Sequence, residues 1–237
     1  MDDRKRHIEM DVADAIMERP IGFSVGNRSF FIYPTTLGKM YLLSRQIEGL
    51  GIDRRIVSVN PYFESIRLCK EKRRTILQIL AYSTFSSKSE LFNSPLIKKR
   101  IRLFDSKLSN EELATLLVII LTSDNVDLFI KHFGIDKESA ERRRISSIKG
   151  NSGCVSFGGT SQYGTLIDFA CQRYGWTLDY VVWGISYTNL RMLMADAVTT
   201  IHLTADEMKK LGLSNGGEVI DANDPSNRQR IKELLQD

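Results

Sequence analysis

The chain of 237 residues holds only three histidines, His7, His132 and His202, and only three cysteines, Cys69, Cys154 and Cys171. Acid–base catalysis near neutral pH leans on histidine, and a transition-metal site needs His, Cys or acidic side chains at short ligand spacing. None of the three histidines is accompanied by a second histidine, cysteine or acid at such a spacing, so each is read as a surface or packing residue. The cysteines are odd in number and form no C-x-x-C pair, which points to reduced thiols, with Cys69 and Cys171 packed on helix faces. The small residues from Gly153 to Thr160 would let backbone amides approach an anion. They lack the lysine of a phosphate loop and are read as part of a linker. H-E-x-x-H and serine elbows of G-x-S-x-G type are read as absent, so the expectation is a non-catalytic protein with no metal and no cofactor.

Basic residues raise a different chemistry. The net charge is +4, with runs at Arg54-Arg55, Lys70 to Arg74, Lys98 to Arg102 and Arg142 to Arg144. A nucleic-acid surface presents one sign along a face. On the helix after Pro61, however, Glu64, Arg67, Glu71 and Arg74 alternate in sign at three-to-four spacing, as on a solvated face joined by weak ion pairs. Lys98, Lys99 and Arg102 are the better candidates for a basic surface, with Arg142, Arg143 and Arg144 beside them in rank. The helices around Gly175 do not make a DNA-reading pair, because the second, Leu178 to Trp183, is short and carries no basic residue. Nucleic-acid binding stays as the weaker alternative.

The elements that would carry these residues follow from periodicity and caps. A short helical pattern ends before Pro20; Ile21 to Tyr33 alternates as a β-hairpin about Gly26-Asn27, with Ile21, Phe23 and Val25 pointing one way. Thr35 or Thr36 caps a helix that Gly49 ends, and Asn60-Pro61 opens one with Phe63, Ile66, Cys69, Ile76, Leu77 and Leu80 inward. Ser94-Pro95 opens the next helix, and Ser109 to Glu112 forms a capping box ahead of the apolar Leu113 to Leu121, the expected central core helix. Asp124 caps a short helix closed by Gly134. Thr177, Ser186 and Thr204 cap three later ones, and Asp224-Pro225 starts a last, polar one.

The predicted fold is mainly α, an amino-terminal β-hairpin followed by a helical bundle (1–135), then a flexible linker (136–163), then a small helical carboxy-terminal unit (164–237). Hydrophobic residues make up 42% and charged residues 26% of the chain, the mix of a globular protein. The run Leu113 to Leu121 falls short of the roughly 20 residues a membrane span requires. The charged start, Met1 to Met10, precedes no long apolar region, so the expected location is the cytoplasm, with no membrane partner.

Tyr174, Trp176, Tyr180, Trp183 and Tyr187 crowd together and hold both tryptophans of the chain. Two readings are open: these rings form the core of their own small unit, or they are left at its surface for docking. The hairpin running straight into a helix (Ile21 to Gly38), a helical middle, a polar joint, and then Leu166-Ile167-Asp168-Phe169, Tyr174-Gly175-Trp176, Asp179-Tyr180 and Trp183 resemble tail assembly chaperones of long-tailed bacteriophages and related prophages. The resemblance covers about Ile21 to Ala197 and is one of layout and residue character. It implies a protein of the bacterial host cytoplasm that coats the long helical tape-measure protein, or another tail protein, during virion assembly. Trp176, Tyr180, Trp183 and Tyr187 would hold apolar helices, and self-association would assist. A structural tail or baseplate component of the virion is the alternative. The tail Thr200 to Asp237 and the run Arg142 to Arg144 find no counterpart in that layout.

Overall fold

A computed structural model of the protein describes residues 3–123, 126–148 and 160–212, with side chains from residue 7 onward. Helix α1 (Asp3–Ile16) leads through Pro20 into a two-stranded antiparallel hairpin, β1 (Ile21–Val25) and β2 (Arg28–Ile32). Val25 pairs with Arg28, which leaves Gly26 and Asn27 as a two-residue turn; Gly26, at φ 57°, takes the left-handed conformation the turn needs. Phe23 and Val25 face inward as the alternation predicts, whereas Ile21 is exposed. The rings of Phe23 and Phe30 meet Phe104 at 6.0 and 5.1 Å, which seats the hairpin on the helical body.

Thr36 caps α2 (Leu37–Glu48) by accepting from the Lys39 amide. Asp53 and Asn60 do the same for α3 (Arg54–Val59) and α4 (Pro61–Glu71). The single helix expected after Pro61 is two: Lys72 leaves helical geometry (φ −126°, ψ 28°) and α5 (Arg73–Ser83) follows. The charged run Lys70 to Arg74 carries no apolar side chain to mark the break. Arg73 fixes the new direction, donating to Asp105 (2.8 Å), Asn110 (2.7 Å) and the Leu108 carbonyl (2.8 Å). Phe63, expected inward, is exposed because the inner face of α4 is set by Leu68 and Cys69.

The short α6 (Lys88–Leu91) starts at a Ser87/Glu90 capping box, and α7 (Ser94–Lys107) is capped by Asn93 rather than Ser94. Helix α8 (Asn110–Thr122) begins at the predicted Ser109/Glu112 box. It makes its most extensive contact with α4, burying Leu113, Ala114, Leu116 and Leu117. Helix α9 (Val126–His132) ends before Gly134; its expected cap, Asp124, lies outside the described residues. Then come α10 (Ile135–Ile148), α11 (Gln162–Tyr174), α12 (Leu178–Trp183), α13 (Tyr187–Ala195) and α14 (Ala205–Leu211), the last with a Thr204/Glu207 capping box. The protein is mainly helical with an amino-terminal hairpin. Among the described residues no single helix is long and apolar enough to cross a membrane.

Two compact units emerge, and their boundary differs from the predicted one. The described parts of 1–136 and 157–197 form one unit; 137–156 and 198–237 belong to the other. Helices α11 to α13 thus join the hairpin and bundle instead of standing apart. The reason is a second apolar face on α2: Leu37 enters a core with Leu166, Ala170, Val181, Ile185 and Leu190, while Leu43 serves the main core. The chain also pairs there, with Thr36 bridging to Ser186 and the Tyr187 amide donating to the Thr35 carbonyl at 2.7 Å. Part of the expected linker is helical as well. Helix α10 buries only Ile135 and is supported by Glu138–Arg142 and Glu141–Arg144 pairs, both at 2.7 Å, so a search for an apolar stripe passes over it.

Candidate functional site

The aromatic segment is set out by three successive caps. Ser161 accepts from the Gly164 amide, Thr177 from Tyr180 and Ser186 from Asn189, so three short helices fold back with little chain between them. The middle one, α12, buries Val181 and turns Leu178, Tyr180 and Trp183 away from that contact.

Each ring has one edge in the fold and one outside. Trp176 stacks on Tyr174 (4.7 Å between centroids) and meets Tyr180 edge-on (5.2 Å). Trp183 lies flat over Gly38 of α2, where a Cβ would come within 2.6 Å of the indole, and takes Phe92 edge-on at 5.7 Å. Trp176, Trp183 and Tyr187 are half-buried, whereas Tyr180 is 45% exposed and Leu178 of the same helix and Phe92 are each 60% exposed. The rings thus cement α12 to its surroundings and also leave apolar area at the surface. Tyr187 stands apart from the other three, on the wall of a separate cleft, with the Arg191 guanidinium 5.7 Å from its ring. Phe92 is the member that sequence reasoning missed, a phenylalanine between two helix starts with no periodic neighbours to flag it. Lys88 borders the patch, 5.6 Å from the Trp183 ring and 2.6 Å from Asp179.

The basic candidates divide. Lys98, Lys99 and Arg102 are exposed on one face of α7 around a shallow hollow with Ser94 and Pro95, and have no ion pair among the described residues. Arg142 and Arg144 are neutralised on their own helix by Glu138 and Glu141, and Arg143 turns back to the Ser139 carbonyl at 3.3 Å. The alternating face of α4 is less solvated than predicted. Glu64 is buried, accepts from the Asp53 amide at 2.7 Å and is gripped by Arg67 at 2.6 Å, while Arg67 also reaches Glu71. The Arg67 hydrogen bonds outweigh the opposing effect of burial and hold the Glu64 carboxyl below its ordinary range.

Three further groups, two buried and one half-buried, are accounted for by packing. Lys39 is almost fully enclosed, facing the Tyr33 ring at 5.9 Å; burial lowers its pKa to about 8, against the raising influence of Glu90. Arg100 is sandwiched between Phe85 (4.7 Å) and Phe30 (4.9 Å) and donates to the Thr84 hydroxyl at 2.9 Å. Burial pushes the Cys69 thiol up to about 11, so it stays protonated and inert. Cys171 is half-buried; Cys154 and residues 153–159 of the glycine-rich stretch lie outside the described residues.

One sequence pattern needs correction. Gly22-Phe23-Ser24-Val25-Gly26 does spell G-x-S-x-G. It runs along β1, with Ser24 opposite Ser29, and leads through a turn into a second strand, whereas a nucleophile elbow requires a sharp strand-to-helix turn. His132 pairs with Glu9 at 2.5 Å, and no group of three or more His, Cys, Asp or Glu side chains converges as metal ligands among the described residues.

A cleft of about 910 Å³ lies elsewhere, between α1, the exit of the hairpin, α2, the end of α8, α9 and the start of α13. Its walls are mostly apolar, with Asp11, Asp14, Arg19 and Glu48 among its polar lining. Compared with protein-family models, curated proteins and solved structures, the chain matches none.

Proposed function

We propose that the protein is a non-catalytic holder of apolar helices, acting like the tail assembly chaperones its sequence resembles, with a long tape-measure-type helix as its client. The reading is carried by one observation: Leu178 and Tyr180 of α12 lie exposed, as does Phe92 against the half-buried Trp183, while the inner side of α12 is already satisfied by Val181. Aromatic side chains with one edge wet and one edge apolar give large contact area at small entropic cost, which suits many weak, reversible contacts along a helical client. Co-expression with a long amphipathic helical client tests it. The wild-type chain raises the soluble client and co-purifies with it, and Phe92→Ser/Tyr180→Ser lowers the soluble yield several-fold. No gain in client solubility from the wild type overturns the proposal.

A second reading rests on Lys98, Lys99 and Arg102, which present one sign on one face of α7. Retention on DNA that weakens steeply with salt and is lost in the triple alanine variant would support it. Indifference to DNA at low salt removes it.

A further inference from the structure

The cleft extends the proposed client-holding function, on which its reading rests, to a site away from the exposed α12 rings. Its apolar wall draws on four elements: Pro34 from the hairpin exit, Met40 and Ile47 from α2, Ile120 and Leu121 from α8, and Phe129 from α9. A void of about 150 Å³ accommodates a benzene-sized group. At about 910 Å³ the cleft takes several side chains, the three or four large apolar residues that two turns of an amphipathic helix present on one face.

Charge selects the occupant. Of the four charged side chains lining the cleft, Asp14 and Arg19 pair with each other at 3.2 Å. Asp11 and Glu48, on opposite walls, are exposed and have no ion pair among the described residues. The chain as a whole is basic, at +4, so this negative rim is a local feature. It complements a helix whose apolar face is flanked by Lys or Arg and disfavours an acidic one.

One wall of the cleft is formed by α1. It is fastened by polar pins: His132 to Glu9 at 2.5 Å, and Glu18 Oε1 accepting from the Ser186 amide (2.7 Å) and the Asn189 side chain (3.2 Å). Its large apolar side chains Met10 and Ile16, and Met17 just beyond, are 60 to 67% exposed instead of closing the cleft. We propose that this cleft binds a basic amphipathic helix of the client, its apolar side chains entering between α1 and α2 and its cations meeting Asp11 and Glu48.

The full-length chain is titrated into a fluorescein-labelled synthetic helix of about five turns with a leucine face flanked by lysines, and into its glutamate-flanked counterpart, followed by anisotropy. The lysine peptide binds more tightly. Ser44 is exposed and its hydroxyl bonds only to the Tyr41 carbonyl of its own helix, so Ser44→Trp fills the cleft without disturbing the core and weakens binding at least roughly tenfold. Asp11→Lys/Glu48→Lys reverses the preference between the two peptides, with circular dichroism confirming that each variant is folded. Unchanged affinity in both variants overturns the cleft site. If Phe92→Ser/Tyr180→Ser then abolishes binding, the client-holding function survives at the α12 rings. If neither peptide binds the wild type, the cleft site falls, while the client-holding function is decided separately by the soluble yield of the co-expressed client.

Discussion

Replacing Gly38 by alanine tests the seating of Trp183 most directly. A Cβ at this position would stand 2.6 Å from Cη2 and Cζ3 of the indole and 2.7 Å from Cε3, against the 3.5 to 4.0 Å at which carbon atoms pack well. The atoms in the way belong to a rigid ring, so the indole must withdraw by about 1 Å, and Phe92 stands against it edge-on at 5.7 Å. Overpacking of this kind costs about 1 to 3 kcal/mol. Alanine regains at most about 1 kcal/mol of helix propensity, and less in the first turn of α2 than in mid-helix. The net expectation is a loss of about 1 to 2 kcal/mol, a fall in melting temperature of roughly 3 to 6 °C for a chain of this size. The assay is urea unfolding of Gly38→Ala in a Trp176→Phe background, which leaves Trp183 as the only indole; its emission shifts to the red and iodide quenching increases. Equal or greater stability with unchanged emission would refute the packing of α12 on α2, and with it the inclusion of α11 to α13 in the amino-terminal unit.

Two buried charges and a half-buried one give further predictions. Lys39 has a folded pKa of about 8 against 10.5, so the unfolded chain binds more protons between those values and this group makes stability rise with pH across that window. Lys39→Met removes the burden of a buried ammonium, on the order of 3 kcal/mol at neutral pH, and its advantage over the wild type in urea melts shrinks as pH approaches 10.5; an unchanged gap between pH 7 and 10 contradicts the burial argument. The Glu64 carboxyl is depressed, so its contribution is fully present above the ordinary carboxyl value and is lost as pH falls through the lower folded value. Glu64→Gln costs about 1 to 3 kcal/mol at pH 7, and that cost dwindles on acidification; a pH-independent difference would separate Glu64 from the Arg67 contact. Arg100→Met forfeits contacts with two rings and the Thr84 hydroxyl, about 1 to 3 kcal/mol in thermal melts, with a loss below 0.5 kcal/mol counting against the sandwich.

What the sequence discloses here depends on whether the cause is local. Thr36, Ser109, Thr177, Ser186 and Thr204 each cap the helix assigned to them, because a cap is a hydrogen bond between residues two or three apart. The hairpin is legible for the same reason. The break at Lys72 is not, since Arg73 is positioned by Asp105, Leu108 and Asn110, more than thirty residues away. Helix α10 is hidden differently, supported by charge pairs where an apolar stripe was sought. The placement of α11 to α13 against α2 depends on Gly38, and a glycine without positive φ gives no sign in the sequence that an indole will lie on it.

The same distinction explains the candidate sites. Trp176, Tyr180 and Trp183 were legible as a group because they are close in sequence; Phe92, which completes the exposed patch, reaches it from the loop before α7 and was not. The cleft was invisible altogether, because its residues range from Asp11 to Thr188 and its character resides in what fails to meet: apolar walls from four elements that α1 does not close. Asp11 and Glu48 look ordinary on their own helices and acquire meaning only by facing one apolar space. A protein that holds clients transiently needs such unfinished surfaces, since apolar area already satisfied within the fold has nothing left to offer a partner. The exposed rings of α12 and the open cleft both have this property, one as a patch and one as a groove, and substitutions at exposed positions, Phe92, Tyr180 and Ser44, separate their contributions without touching the core.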